Sequence, residues 1–192
     1  MIKRITLLVA VVALSTAVSF GQMTFGIKAG ANLSNVTMSG GGISLSNKML
    51  VGFEVGGLAN FKINDKMAFQ PEVMFAQYGC NFDKLISDKP LKENVISIPL
   101  MVKYSLGSIN ILAGPQLGYI LSAKVDGEDA MATDAFDMKK LDYGVAVGLG
   151  YEMENGIGID ARYYLGMANL TNTTDMKMKN NSIQIAVSYK FK

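Results

Sequence analysis

From Leu141 to Glu152 the chain alternates without a lapse. Leu141, Tyr143, Val145, Val147, Leu149 and Tyr151 are apolar, and Asp142, Gly144, Ala146, Gly148, Gly150 and Glu152 between them are small or charged. Successive side chains of a strand point to opposite faces, so a period of two dictates a strand with one apolar side. The end of the chain repeats the pattern, with Ile183, Ile185, Val187, Tyr189 and Phe191 against Ser182, Gln184, Ala186, Ser188 and Lys190. So does residues 24–33, where Phe25, Ile27, Ala29, Ala31 and Leu33 form the apolar side. Residues 51–61, 67–77, 95–104, 109–121 and 157–167 carry it less regularly. The sum is eight expected strands of about 10 or 11 residues, the length a tilted strand needs to cross a bilayer.

The connections alternate in length. Residues 62–66, 105–108 and 153–156 are short, with Asn64-Asp65 and Asn155-Gly156 as hairpin signals. Residues 34–50, 79–94, 122–140 and 168–181 are long and rich in Asn, Ser, Asp, Thr, Lys and Gly. Transmembrane barrels have this asymmetry, short periplasmic turns and long extracellular loops. The order places both termini on the short-turn side.

Alternation alone does not separate a membrane barrel, apolar outside, from a periplasmic lipocalin-like ligand carrier, apolar inside. The other face decides, because on a soluble barrel it would be dense in long charged side chains. Here it carries Gly26, Gly30, Gly52, Gly56, Gly118, Gly144, Gly148, Gly150, Gly158 and Gly166. Single charges of both signs share it: Lys28, Glu54, Glu72, Lys103, Asp142, Asp160, Arg162 and Lys190. An eight-stranded barrel is just wide enough for side chains to fill, so this set is expected to pair internally as a structural lumen cluster. Phe53 and Phe61, like Tyr143 and Tyr151, stand eight residues apart on an apolar face. That spacing rises roughly 20 Å along a tilted strand, close to the ~25 Å band between aromatic girdles. Pro71, Pro99 and Pro115 fall inside expected strands although proline donates nothing to a ladder, so bulges or locally open pairing are expected there.

Lys3 and Arg4, the apolar run 5–18 and Ser19-Phe20-Gly21 have the layout of a secretory signal. The run of roughly 14 residues is too short for a spanning helix, which needs about 20. Residues 1–21 are therefore read as a cleaved signal peptide and 22–192 as one outer-membrane barrel domain. The chain is 49% apolar with only 18% charged residues, so much apolar surface must be hidden from water. Net charge is +2 with the cations scattered singly, which provides no footprint for nucleic acid. The lone Cys80 excludes an intramolecular disulfide and is read as an incidental loop residue.

With these segments in view the chain resembles the PorT-like family of outer-membrane β-barrels common in the Bacteroidetes. The matching residues are Gly26-Ile27-Lys28-Ala29-Gly30-Ala31-Asn32-Leu33-Ser34, Gln70-Pro71-Glu72-Val73-Met74-Phe75, Ile98-Pro99-Leu100-Met101-Val102-Lys103-Tyr104, Gly114-Pro115-Gln116-Leu117-Gly118-Tyr119 and Asp142-Tyr143-Gly144. The resemblance spans residues 22–192. It implies an eight-stranded outer-membrane barrel and makes the strand prolines a family trait. The family's name derives from a member linked to protease secretion, an activity that the resemblance does not carry over. Outer-membrane barrels also tend to end on an aromatic residue that the barrel assembly machinery reads, whereas here Lys192 follows Phe191.

Small outer-membrane enzymes such as lipid A deacylases, palmitoyltransferases and omptin-type proteases resemble one another in relying on a histidine near Ser, Asp or Glu, and this chain has no histidine. A triad would then need a lysine or carboxylate base, and no Ser-x-x-Lys or Gly-x-Ser-x-Gly motif is present. No catalytic, cofactor or metal-ligating residue is assigned. Asp126-Gly127-Glu128-Asp129, with Asp134 and Asp137, lacks the ordered spacing of a calcium loop and reads as a solvated acidic loop. Met131, Met138, Met176 and Met178 reach the number chance allows in a chain with 13 methionines. The sequons at Asn35, Asn169 and Asn172 mark loops. The expectation is an all-β, eight-stranded, antiparallel up-and-down transmembrane barrel in the bacterial outer membrane. It would be non-enzymatic, in contact with outer-membrane lipid, and structural or surface-binding through extracellular loops whose ligand the sequence does not name. The alternatives are a narrow channel or accessory component of protein secretion, and the lipocalin-like carrier.

Overall fold

The computed structural model describes residues 23–40, 43–82, 89–125, 128–129, 138–173 and 176–191. The signal-like stretch lies outside them, as do Asp126, Gly127, Met131, Asp134 and Asp137. The described elements are all strands: β1 (Met23–Gly40), β2 (Ile43–Ser46), β3 (Lys48–Lys62), β4 (Met67–Asn81), β5 (Leu91–Leu106), β6 (Ile109–Val125), β7 (Glu128–Asp129), β8 (Leu141–Glu152), β9 (Ile157–Gly166) and β10 (Met176–Lys190). The short strands β2 and β7 pair with the loop-side ends of β1 and β6.

The other eight form one antiparallel meander in the order β10-β9-β8-β6-β5-β4-β3-β1, and β1 pairs with β10 to close it. Closure removes both edges, as a barrel in lipid requires, because no unpaired backbone group can be left in hydrocarbon. Following Cα partners from Met23 through Phe61, Phe69, Val102, Ala113, Val147, Tyr163 and Ile183 returns to β1 at Leu33, a stagger of ten residues. Such a stagger tilts the strands by about 35–45°.

Every residue on that path faces outward. The outer surface exposes Phe25, Ile27, Val55, Val73, Ile111, Val147, Leu149, Ile159 and Val187, while Lys28, Glu72, Asp142 and Arg162 are buried inside. This overturns the lipocalin-like alternative, whose apolar face would line the lumen. Near the short turns the outer surface carries Phe61, Phe69, Tyr104, Tyr151, Tyr189 and Phe191, with Phe61 stacked on Phe69 at 6.3 Å. Toward the loops it carries Phe53, Phe75, Tyr119 and Tyr143, with Phe53 and Phe75 5.9 Å apart. These are two aromatic girdles flanking an apolar band. At the short turns, Asn64 Oδ1 accepts from the amides of Lys66 and Met67, and Gly156 adopts φ 90°, a conformation that favours glycine.

The strands outrun the expected lengths. β1 has 18 residues and β6 has 17, so both project past the apolar band into what the sequence presents as loops. Two expectations fall with this. Cys80 is no loop residue: it lies on β4, pairs with Leu91 and is fully buried. Asn35 lies on β1 opposite Asn181, so its sequon marks a strand. The prolines sit where pairing opens. The β4–β5 ladder skips from Pro71↔Leu100 to Met74↔Ser97, and β5–β6 skips from Pro99↔Gln116 to Val102↔Ala113. Pro115 nevertheless pairs with Val145 in an unbroken β6–β8 ladder. The register shifts lie elsewhere, near the loops, between Met49 and Glu54 and between Asn94 and Val95.

Candidate functional site

The lumen is the only part of the described barrel where polar side chains converge out of water, and it is organised in layers. At the short-turn end Glu152 Oε2 accepts from Lys103 Nζ at 2.8 Å and Lys190 Nζ at 2.7 Å. A cavity of about 380 Å³ opens beside them, lined by Asn60, Glu152, Glu154, Lys190 and neighbouring residues.

Midway, Arg162 grips Glu72 with two bonds, Nη1 to Oε2 at 2.9 Å and Nη2 to Oε1 at 2.7 Å. In the circular strand order β9 and β4 stand opposite each other, so this fork spans the barrel's diameter. Lys28 Nζ adds Asp160 Oδ1 at 2.9 Å and Glu72 Oε2 at 3.4 Å. Arg162 Nε lies 2.8 Å from Asp160 Oδ1 without hydrogen-bond alignment, which makes that contact Coulombic. Gln70 Nε2 donates to Glu72 Oε1, and Glu54 faces the charges of Lys28 and Arg162. Such charge-assisted, bidentate contacts are the strong class of hydrogen bond.

Above this, Tyr78 hydroxyl accepts from Gln116 at 3.0 Å and Gln184 at 3.1 Å, and its ring stacks on Tyr164 at 6.4 Å. Next, Asn180 Nδ2 donates to Glu93 Oε2 at 2.9 Å and Asp142 Oδ2 at 3.3 Å. The Tyr164 hydroxyl is also bonded to Asp142. β10 and β5, which carry Asn180 and Glu93, are again opposite strands. An apolar lid of Val36, Cys80, Phe82, Leu91, Val95, Ile120, Ala123, Met138, Leu170 and Met178 closes the loop-side end.

Glycine makes room for the charges. Lys28 is the cross-strand partner of Gly56, Glu54 of Gly30, Arg162 of Gly148, Asp160 of Gly150, Asp142 of Gly118 and Glu152 of Gly158. A Cβ on Gly148 would stand 2.8 Å from the Arg162 Cγ and 2.4 Å from a facing carbonyl, so the arginine occupies the volume the glycine vacates.

All eight charged residues read as lumen-facing are buried: Lys28, Glu54, Glu72, Lys103, Asp142, Asp160, Arg162 and Lys190. They do not form one cluster. Lys28, Glu54, Glu72, Asp160 and Arg162 meet midway, Lys103 belongs to the Glu152 layer, and Asp142 to the Glu93 layer. The sequence reading missed Glu93, Glu152 and Asn180 as members. Glu152 was legible from its parity on β8, whereas Glu93 lies two residues before the expected start of its strand. Met138 and Met178 enter the lid, while Met176 is exposed. Among the described residues no three His, Cys, Asp or Glu side chains gather as a metal centre.

The family model described as outer membrane protein beta-barrel domain matches residues 18–172. Comparison with curated protein sequences finds no match. Among solved structures the fold is similar to Neisserial surface protein A, with a TM-score of 0.59 at 20% identity over 87% of this chain and 97% of that one. It is also similar to Ail, the attachment invasion locus protein of Yersinia pestis, with a TM-score of 0.50 at 17% identity over 88% of this chain and 99% of that one. At these identities the likeness is one of fold.

Proposed function

Because the chain belongs to the outer membrane β-barrel domain family, we propose that it works in the bacterial outer membrane as a closed, non-enzymatic barrel that offers its loop-side end to the outside. The observation that carries this reading is the crossbar from Arg162 to Glu72, which spans the lumen with two bonds and is 1–2% exposed. With the apolar lid above it, little path is left for a solute, so the role falls to the projecting strands and loops, as surface binding or envelope support. The PorT-like motifs around Pro71, Pro99 and Pro115 support placing the chain in that branch. The signal layout of residues 1–21 supports export, cleavage to a mature domain 22–192 and insertion by the barrel assembly machinery.

Purified barrels in planar bilayers test the closed lumen. No steady conductance is expected, and a reproducible open channel would replace this reading with the channel or secretion alternative. Deleting the middle of residues 122–140 is expected to abolish any surface binding while the unboiled protein keeps its anomalous gel mobility.

A further inference from the structure

We infer that the loop-side layer of the lumen is a binding site for a hard divalent cation, held between Glu93 and Asp142. The site is separate from the surface role proposed above and rests on the fold alone.

Charge balance is the first argument. In the lower layers Lys28, Lys103, Arg162 and Lys190 are committed to Glu72, Asp160 and Glu152, and Glu54 lies in the field of Lys28 and Arg162. Glu93 and Asp142 are 0% and 1% exposed, and no lysine or arginine appears among the groups acting on either. Two carboxylates buried without a counter-charge cost many kcal/mol while they stay ionised, so such groups neutralise, pair or bind metal.

The second argument is independent of charge. Asn180 Nδ2 spends both its hydrogens on the carboxylates, and its own Oδ1 is buried with no partner. Glu93 Oε1, Asp142 Oδ1 and, two residues along β10 on the same face, Ser182 Oγ are buried without partners as well. All four are oxygens with lone pairs to offer. A cation accepts several such oxygens at once. Two carboxylates with an amide carbonyl and a hydroxyl match the oxygen donor set of Ca²⁺, which takes about 6–8 oxygens and tolerates irregular geometry. Its double charge balances the pair. The donors are hard: the chain has no histidine, and its single thiol, Cys80, is packed in the apolar lid.

The test uses the full chain, purified from outer membranes in detergent and refolded in chelator or in calcium chloride. Bound metal is measured after desalting, and gel mobility without boiling confirms the barrel. Expected are one calcium per barrel, a higher unfolding temperature with calcium, and at least about a tenfold loss of affinity in Glu93→Gln and in Asp142→Asn. The double variant is expected to fold and to melt at the same temperature with and without calcium, because neutral amides no longer need the ion. Folded wild-type barrels that take up no calcium at millimolar concentration overturn the proposal. So does binding that survives in the double variant, which places the ion elsewhere, for example on the acidic stretch 126–129.

Discussion

The layer around Arg162 and the layer around Glu93 face the same problem, carboxylates enclosed in a narrow barrel, and meet it differently. Midway along the lumen the chain supplies its own cations, and Glu72 and Asp160 are matched within 2.7–3.4 Å by Arg162 and Lys28. At the loop-side end it supplies a neutral amide from Asn180, and an apolar lid lies immediately above. The first arrangement pairs Glu72 and Asp160 directly, sets Glu54 in the field of the same two cations, and holds the wall together across the diameter. The second leaves oxygens unpartnered beneath the lid, which suits an ion enclosed as the barrel folds.

Arg162→Met would break this contrast most severely, since it leaves Glu72 and Asp160 short of their main counter-charge. Removing one partner of a buried pair costs about 3–5 kcal/mol, and urea unfolding in detergent should show a loss of that size. Leu91→Ala, in the lid, opens a cavity at a residue 2% exposed. About 2–5 kcal/mol is expected from such a truncation. A lid that tolerated it at no cost would not be a packed core. Val147→Arg tests the outer wall rather than the lumen. At mid-band a lipid-facing arginine costs about 2–4 kcal/mol, measurable by folding into liposomes, and a neutral result would mean that this face does not meet hydrocarbon. Lys103→Met should be mildest, about 0–1 kcal/mol, because Glu152 keeps Lys190 and is one-third exposed. A larger loss there would make the short-turn layer a second structural crossbar.

Parity along each strand was enough to place Lys28, Glu54, Glu72, Lys103, Asp142, Asp160 and Arg162 inside. Glu93 escaped because the alternation that marks a strand here is apolar outside, and it lasts only as long as the outside is lipid. Past the band the outward residues turn polar, as at Lys92, Asn94, Ser122 and Lys124, and the inward ones turn apolar, as at Leu91, Val95, Ile120 and Ala123. The strand continues while its pattern inverts, so a reading tuned to the membrane face ends too early. The same inversion made Cys80 look like a loop residue, and the register shift between Asn94 and Val95 re-aims the side chains where it occurs.

Strand number, the direction each face points and the short-turn side followed from local rules, the period of two and the turn residues, which act within a few positions of each other. Which charges meet did not. Glu72 and Arg162 are 90 positions apart and Glu93 and Asn180 are 87 apart. They join because closing the sheet with a ten-residue stagger sets β4 opposite β9 and β5 opposite β10 at matching heights. Closure and stagger belong to the whole ring of pairings, and no single strand's sequence contains them.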